Sequence, residues 1–182
     1  MPKNRITFSG DHLDLIEIAT FYGDTEKGLQ LFHTLGQPFF APRFSSMTPT
    51  EVMRNFEERI LELDRVASMS ILAAVEAAFR IDYLHRVYER PRDDISRAMR
   101  ALYQAVENKA SLEDQILNIW RDNSTGAARI ISDLKGALKY RHWLAHGRYW
   151  EAKMGREKYD FQTIYQLADT VFASFPLLAP DD

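Results

Sequence analysis

A chain of 182 residues, 46% hydrophobic and 27% charged, is long enough to bury one core and too apolar to stay disordered. It contains no cysteine, which excludes disulfides, thiolate metal sites and a cysteine nucleophile, and fits a cytoplasmic location. A net charge of −3 argues against a nucleic-acid partner held by overall charge, and leaves room only for a local basic surface.

In chain order, Met1 to Arg5 is followed by no long apolar run, and neither a signal peptide nor a membrane span is expected. Asp11 to Glu26 holds five acids and no base. Two short helices are predicted here, Asp11–Tyr22 ended by Gly23 and Thr25–Leu35 ended by Gly36. Gln37 to Ser46 contains Pro38 and Pro42 and is not read as a helix interior. It divides an N-terminal helical extension, 1–47, from a helical bundle, 48–182. Its phenylalanines, Phe39, Phe40 and Phe44, are expected to pack on the main body.

Thr48-Pro49-Thr50-Glu51 has the form of a helix start, with a hydroxyl cap, proline at the first position and glutamate three residues after the cap. One long helix, whole or broken in two, is predicted from there to about Tyr88, before Pro91. Met69 to Phe79 is apolar on nearly every side, which predicts a central, buried stretch. Further helices are predicted near Asp93–Glu107, Leu112–Arg121 (with a capping signal at Ser111 and Asp114), Ala127–His146 and Phe161–Phe175. No stretch alternates convincingly as a strand. The expected fold is an all-α antiparallel bundle with an additional N-terminal helical segment.

The chemistry gathers late in the chain. From Arg129 to Lys158 there are eight bases against three acids. Such a run forms either a phosphate-attracting surface or an ordinary solvated face. Wound at about 100° per residue, Ile130, Ile131, Leu134, Leu138 and Ala145 form one apolar stripe, with Arg141 near its middle. A guanidinium on a packing face needs acceptors or a polar cavity. His142 and His146, four residues apart, share the neighbouring face, and Gly147 is placed to end the helix.

Arginine and histidine suit RNA cleavage without a metal. The ribose 2′-hydroxyl must lose a proton to attack the adjacent phosphorus, and the leaving oxygen must gain one. An imidazole, with an ordinary pKa of about 6.5, does either near neutrality. A guanidinium stabilises the charge that grows on the phosphate. Deoxyribose lacks the nucleophile, so DNA would be spared. Two other readings of the histidines stand beside this one. A histidine at a helix C-terminus is often only a cap or dipole partner. His-x-x-x-His is a known ligand spacing, but no glutamate follows His142 and no third ligand stands out, so no metal or cofactor is expected. Tyr140, Trp143, Tyr149 and Trp150 interleave with the bases, where they either stack on single-stranded RNA or belong to the core or an interface.

Arg141-His142-Trp143-Leu144-Ala145-His146-Gly147 resembles the motif of the HEPN family: an arginine, a polar residue, then a histidine four to six positions after the arginine near the end of a late helix. The resemblance spans roughly Thr48 to Phe175. It implies a homodimer with two motifs facing one cleft, acting as a metal-independent endoribonuclease of the toxin–antitoxin or phage-defence type, with RNA as substrate and a cognate antitoxin protein as a possible partner. Arg141 and His146 would then be catalytic, with His142 in support. Glu76, on the apolar helix, either pairs locally with Arg80 or reaches Arg141 and orients it. Tyr149 either lines the cleft or packs. Arg148, Lys139 and Arg80 would contact RNA. Some family members lack the motif and only bind RNA, a nucleotide or a protein partner, which is the alternative function.

Overall fold

The computed structural model describes residues 5–10, 14–151 and 159–179. Among the described residues seven α-helices follow one another: α1 Leu15–Phe32, α2 Phe40–Phe44, α3 Pro49–Glu89, α4 Asp94–Val106, α5 Leu117–Asn123, α6 Ala127–Ala145 and α7 Phe161–Ser174. No strand occurs among the described residues, and no helix there is long and apolar enough to cross a membrane.

The organising element is α3, an unbroken helix of 41 residues and so about 60 Å long. Its start is fixed by a complete capping box. The Thr48 hydroxyl accepts from the Glu51 amide, and the Glu51 carboxylate accepts from the Thr48 amide. The stretch expected to be central is so: Ile71, Leu72, Val75 and Phe79 are fully enclosed, although Met69 at its edge is partly exposed. Around it pack α1, α4, α6 and α7. Ile131 and Leu134 of α6, Ile164 and Val171 of α7, and Trp120 of α5 complete the core. The rings of Phe79, Trp120 and Phe175 meet edge to face at 5.4–6.4 Å.

The N-terminal region differs from expectation. One helix, capped by the Asp14 side chain on the Ile16 and Glu17 amides, replaces the two expected and runs straight through Gly23 and Gly28. Each glycine costs up to about 1 kcal/mol in a helix. Packing offsets this: Ile18 joins the core, and Tyr22 stacks on Phe161 at 3.8 Å and donates to Asp64 on α3. The start of the first expected helix, at residues 11–13, lies outside the described residues. Gln37–Ser46 contains the short α2 despite its prolines, because Pro42 is the third helical residue, whose amide has no helical partner to lose. Of the three phenylalanines, Phe44 is buried, Phe40 half-buried and Phe39 exposed.

Before α5, the chain makes a wide turn over Leu112–Ile116, in which the Ile116 amide reaches back five residues to the Ser111 carbonyl. The Ser111 hydroxyl caps the Asp114 amide, as the sequence signalled. This turn approaches the middle of α3 and supplies one wall of the site described next.

Candidate functional site

The α6 helix ends where the motif lies. Beyond its last residue, Ala145, the Gly147 amide donates to the Leu144 carbonyl and the Arg148 amide to the Trp143 carbonyl. Gly147 takes φ +76° to close this turn, and Arg148 follows in the same left-handed region at φ +58°. Winding predicted one apolar stripe, and Ile131, Leu134 and Leu138 are indeed buried on it. Ala145 is exposed instead, while Ala137 and Tyr140 are buried. The last turn of the helix is exposed along His142, Ala145 and His146, while Trp143 and Leu144 still pack against the core.

Those last residues carry the imidazoles. His142 and His146 are both exposed, with ring centroids 4.2 Å apart. Trp150 lies beside them, 5.9 Å from His142 and 6.3 Å from His146. Its place is set by the Trp143 indole, which donates to the Trp150 carbonyl at 2.8 Å. Tyr149 meets Trp150 edge to face and is 83% exposed, so in a single chain it packs against little else. Tyr140 is a core residue, stacked between Trp143 and Tyr159.

Arg141 faces α3. One of its terminal nitrogens is 3.2 Å from Glu76 Oε2. Glu76 Oε1 accepts from Arg80 Nε at 3.0 Å, and Arg80 reaches on to the Ala110 carbonyl. The sequence posed the local and the long-range pair as rivals; both form, one on each oxygen. The Arg141 Nε is buried without a protein partner, and the side chain as a whole is 35% exposed. The guanidinium therefore keeps donors for a ligand. Glu76, Arg80, Arg141 and His142 line a cavity of about 320 Å³ closed on its far side by Ser111, Glu113 and Asp114.

The remaining sequence-predicted residues lie apart from this cavity. Arg148 donates to Glu62 at 2.6 Å. Glu62 is fourteen residues before Glu76 on α3, about 21 Å along the helix. The hydrogen bond from Arg148 holds the Glu62 carboxyl below its ordinary range. Lys139 is exposed on α6. Of the basic run, Lys153, Arg156 and Lys158 lie outside the described residues. No group of three or more histidines, aspartates or glutamates that could hold a metal forms among the described residues.

No family model, curated protein or solved structure matches this chain.

The sequence reading missed two features. One is the wall made by Glu113 and Asp114, which only the wide turn brings to α3. The other is Glu62, whose pairing with Arg148 pins the segment after α6 to α3. A larger cavity, about 720 Å³, lies between α1, α2 and the start of α3, lined by Phe40, Phe44, Val52, Met53 and Phe56 among others. Its one imidazole, His33, is occupied on both nitrogens by the Leu29 carbonyl and Asn55. The smaller, polar cavity and the exposed imidazoles beside it are therefore the candidate site.

Proposed function

We propose that this chain is a HEPN-like, metal-independent endoribonuclease that acts as a homodimer on single-stranded RNA. The observation that carries the reading is the exposed His142–His146 pair on the same helix end as Arg141, itself held by Glu76. An imidazole removes the proton from the 2′-oxygen, which bonds to the adjacent phosphorus. The bond from phosphorus to the 5′-oxygen breaks, and that oxygen takes a proton from a second imidazole. The products are a 2′,3′-cyclic phosphate and a 5′-hydroxyl. Arg141 supports charge on the non-bridging oxygens with donors not engaged by Glu76.

Attack in line places the entering and leaving oxygens on opposite sides of phosphorus. Each needs an imidazole within about 2.6–3.2 Å. Rings in contact with each other, as in His142 and His146, share one side of a phosphate. The opposite imidazole is therefore assigned to a second copy, whose α6 end would face the first. The exposure of His142, His146 and Tyr149 leaves them free to meet such a copy.

The test is to incubate the protein with single-stranded RNA in excess EDTA. The expected products carry 2′,3′-cyclic phosphate ends, and a substrate with 2′-deoxyribose at the cleaved position stays intact. RNA that is bound but never cut would reduce the protein to a binding module.

A further inference from the structure

On the side of Glu113 and Asp114, away from Arg141 and His142, the cavity is unsuited to a phosphate. Arg80 and Arg141 share Glu76, so these three groups together leave one positive charge. Glu113 and Asp114 on the opposite wall bring two negative ones. A phosphate seated there would face two carboxylates, and like charges at close range repel. A neutral group with both donors and acceptors meets no such penalty.

We infer that this cavity is a guanine pocket in which Glu113 reads the base. The assignment rests on the ribonuclease reading, since a base bound here would place its own phosphate toward His142 and His146. Glu113 is half-buried, lines the cavity and has no hydrogen-bond or ion-pair partner among the described residues. Asp114 is already engaged with the Ser111 hydroxyl. A carboxylate left with both oxygens unfilled on a cavity wall accepts two parallel N–H donors well. Guanine offers such a pair, N1–H and the N2 amino group. Its O6 and N7 are acceptors on the adjoining edge, suited to a guanidinium such as Arg80. Adenine and cytosine each offer one amino group beside an acceptor, which would face a carboxylate oxygen unfavourably. The volume, about 320 Å³, lies at the small end of ligand-sized sites (about 300–1,000 Å³) and suits one base rather than a whole nucleotide.

The experiment is calorimetric titration of the full chain with guanosine, inosine and adenosine 3′-monophosphates, alongside cleavage of RNAs that differ in base at one position. The guanosine nucleotide should bind at least about tenfold more tightly than the adenosine one, and inosine, lacking the N2 amino group, should fall between. Glu113→Ala and Glu113→Gln should both erase this preference, with circular dichroism unchanged from the parent. His146→Ala should retain it. Equal binding of all three nucleotides, or a preference untouched by Glu113→Ala, overturns the pocket. RNA cut without base preference overturns the pocket and leaves the nuclease standing. Guanine-selective binding with no RNA cut overturns the nuclease and leaves the pocket standing.

Discussion

Glu76 and Arg141, sixty-five positions apart in sequence, meet at 3.2 Å where the middle of α3 faces the end of α6. The same carboxylate holds Arg80, so one acid on the central helix orients two cations on the cavity wall. In the proposed mechanism Glu76 is a positioning residue, holding the guanidinium that would meet the phosphate. Glu76→Gln keeps the shape and removes the charge. RNA cleavage should fall by about 10²-fold, the loss expected from a misplaced catalytic group, and should fall in kcat more than in KM. Unchanged kcat in a folded Glu76→Gln protein would refute this role.

The end of α6 is held a second time, by Arg148 on Glu62. That hydrogen bond lowers the Glu62 carboxyl below its unfolded range. A depressed acid contributes stability that is present above the unfolded pKa, about 4.3, and is lost as pH falls through the folded value. Acid titration should therefore loosen the segment after Ala145. Glu62→Gln should make tryptophan fluorescence, to which Trp143 and Trp150 contribute, insensitive to this step. A fluorescence change below pH 4.3 that is identical in the two proteins would contradict it.

Much of this architecture was readable because its signals are local. The Thr48 cap, the Ser111 cap and the Gly147 ending each act within a few residues, and each is found where the sequence places it. What was not readable depends on distant partners. Gly23 reads as a helix end until Tyr22 is seen held by Phe161 and Asp64. Winding puts Ala145 on the face of Leu138, but it does not reveal that burial on that face ends before Ala145. Glu113 has no motif of its own, and its place on the cavity wall comes from the wide turn at Leu112–Ile116. Arg141 and Glu76 were legible as candidates because charged groups on apolar helix faces demand partners, and His142 because it pairs with His146 on the neighbouring face.

The same reasoning applies to Asp82 and Arg86, a buried pair one turn apart on α3. Asp82 is fully enclosed and accepts from Arg86, from the Trp120 indole and from the Leu178 amide. Arg86 also donates to Asp93, Ser96 and the Pro176 carbonyl, tying α3, α4, α5 and the C-terminal segment together. Arg86→Ala should cost about 3–5 kcal/mol in urea unfolding, because it strands a buried carboxylate. A loss under about 1 kcal/mol would show that the network contributes little.

Thr48→Ala removes the hydroxyl that accepts from the Glu51 amide at the start of the longest helix. The expected loss is about 1 kcal/mol in the same unfolding measurement, with no change in RNA cleavage. Reduced cleavage at full stability would mean that the N-terminal end of α3 takes part in the site.

The most direct measurement is the single-turnover rate of RNA cleavage in EDTA for the parent protein, Arg141→Ala and His146→Ala, each shown to be folded by circular dichroism. The account predicts a rate for the parent and a loss of at least about 10²-fold in both variants. Equal rates in all three proteins, or no cleavage by the parent, would contradict it.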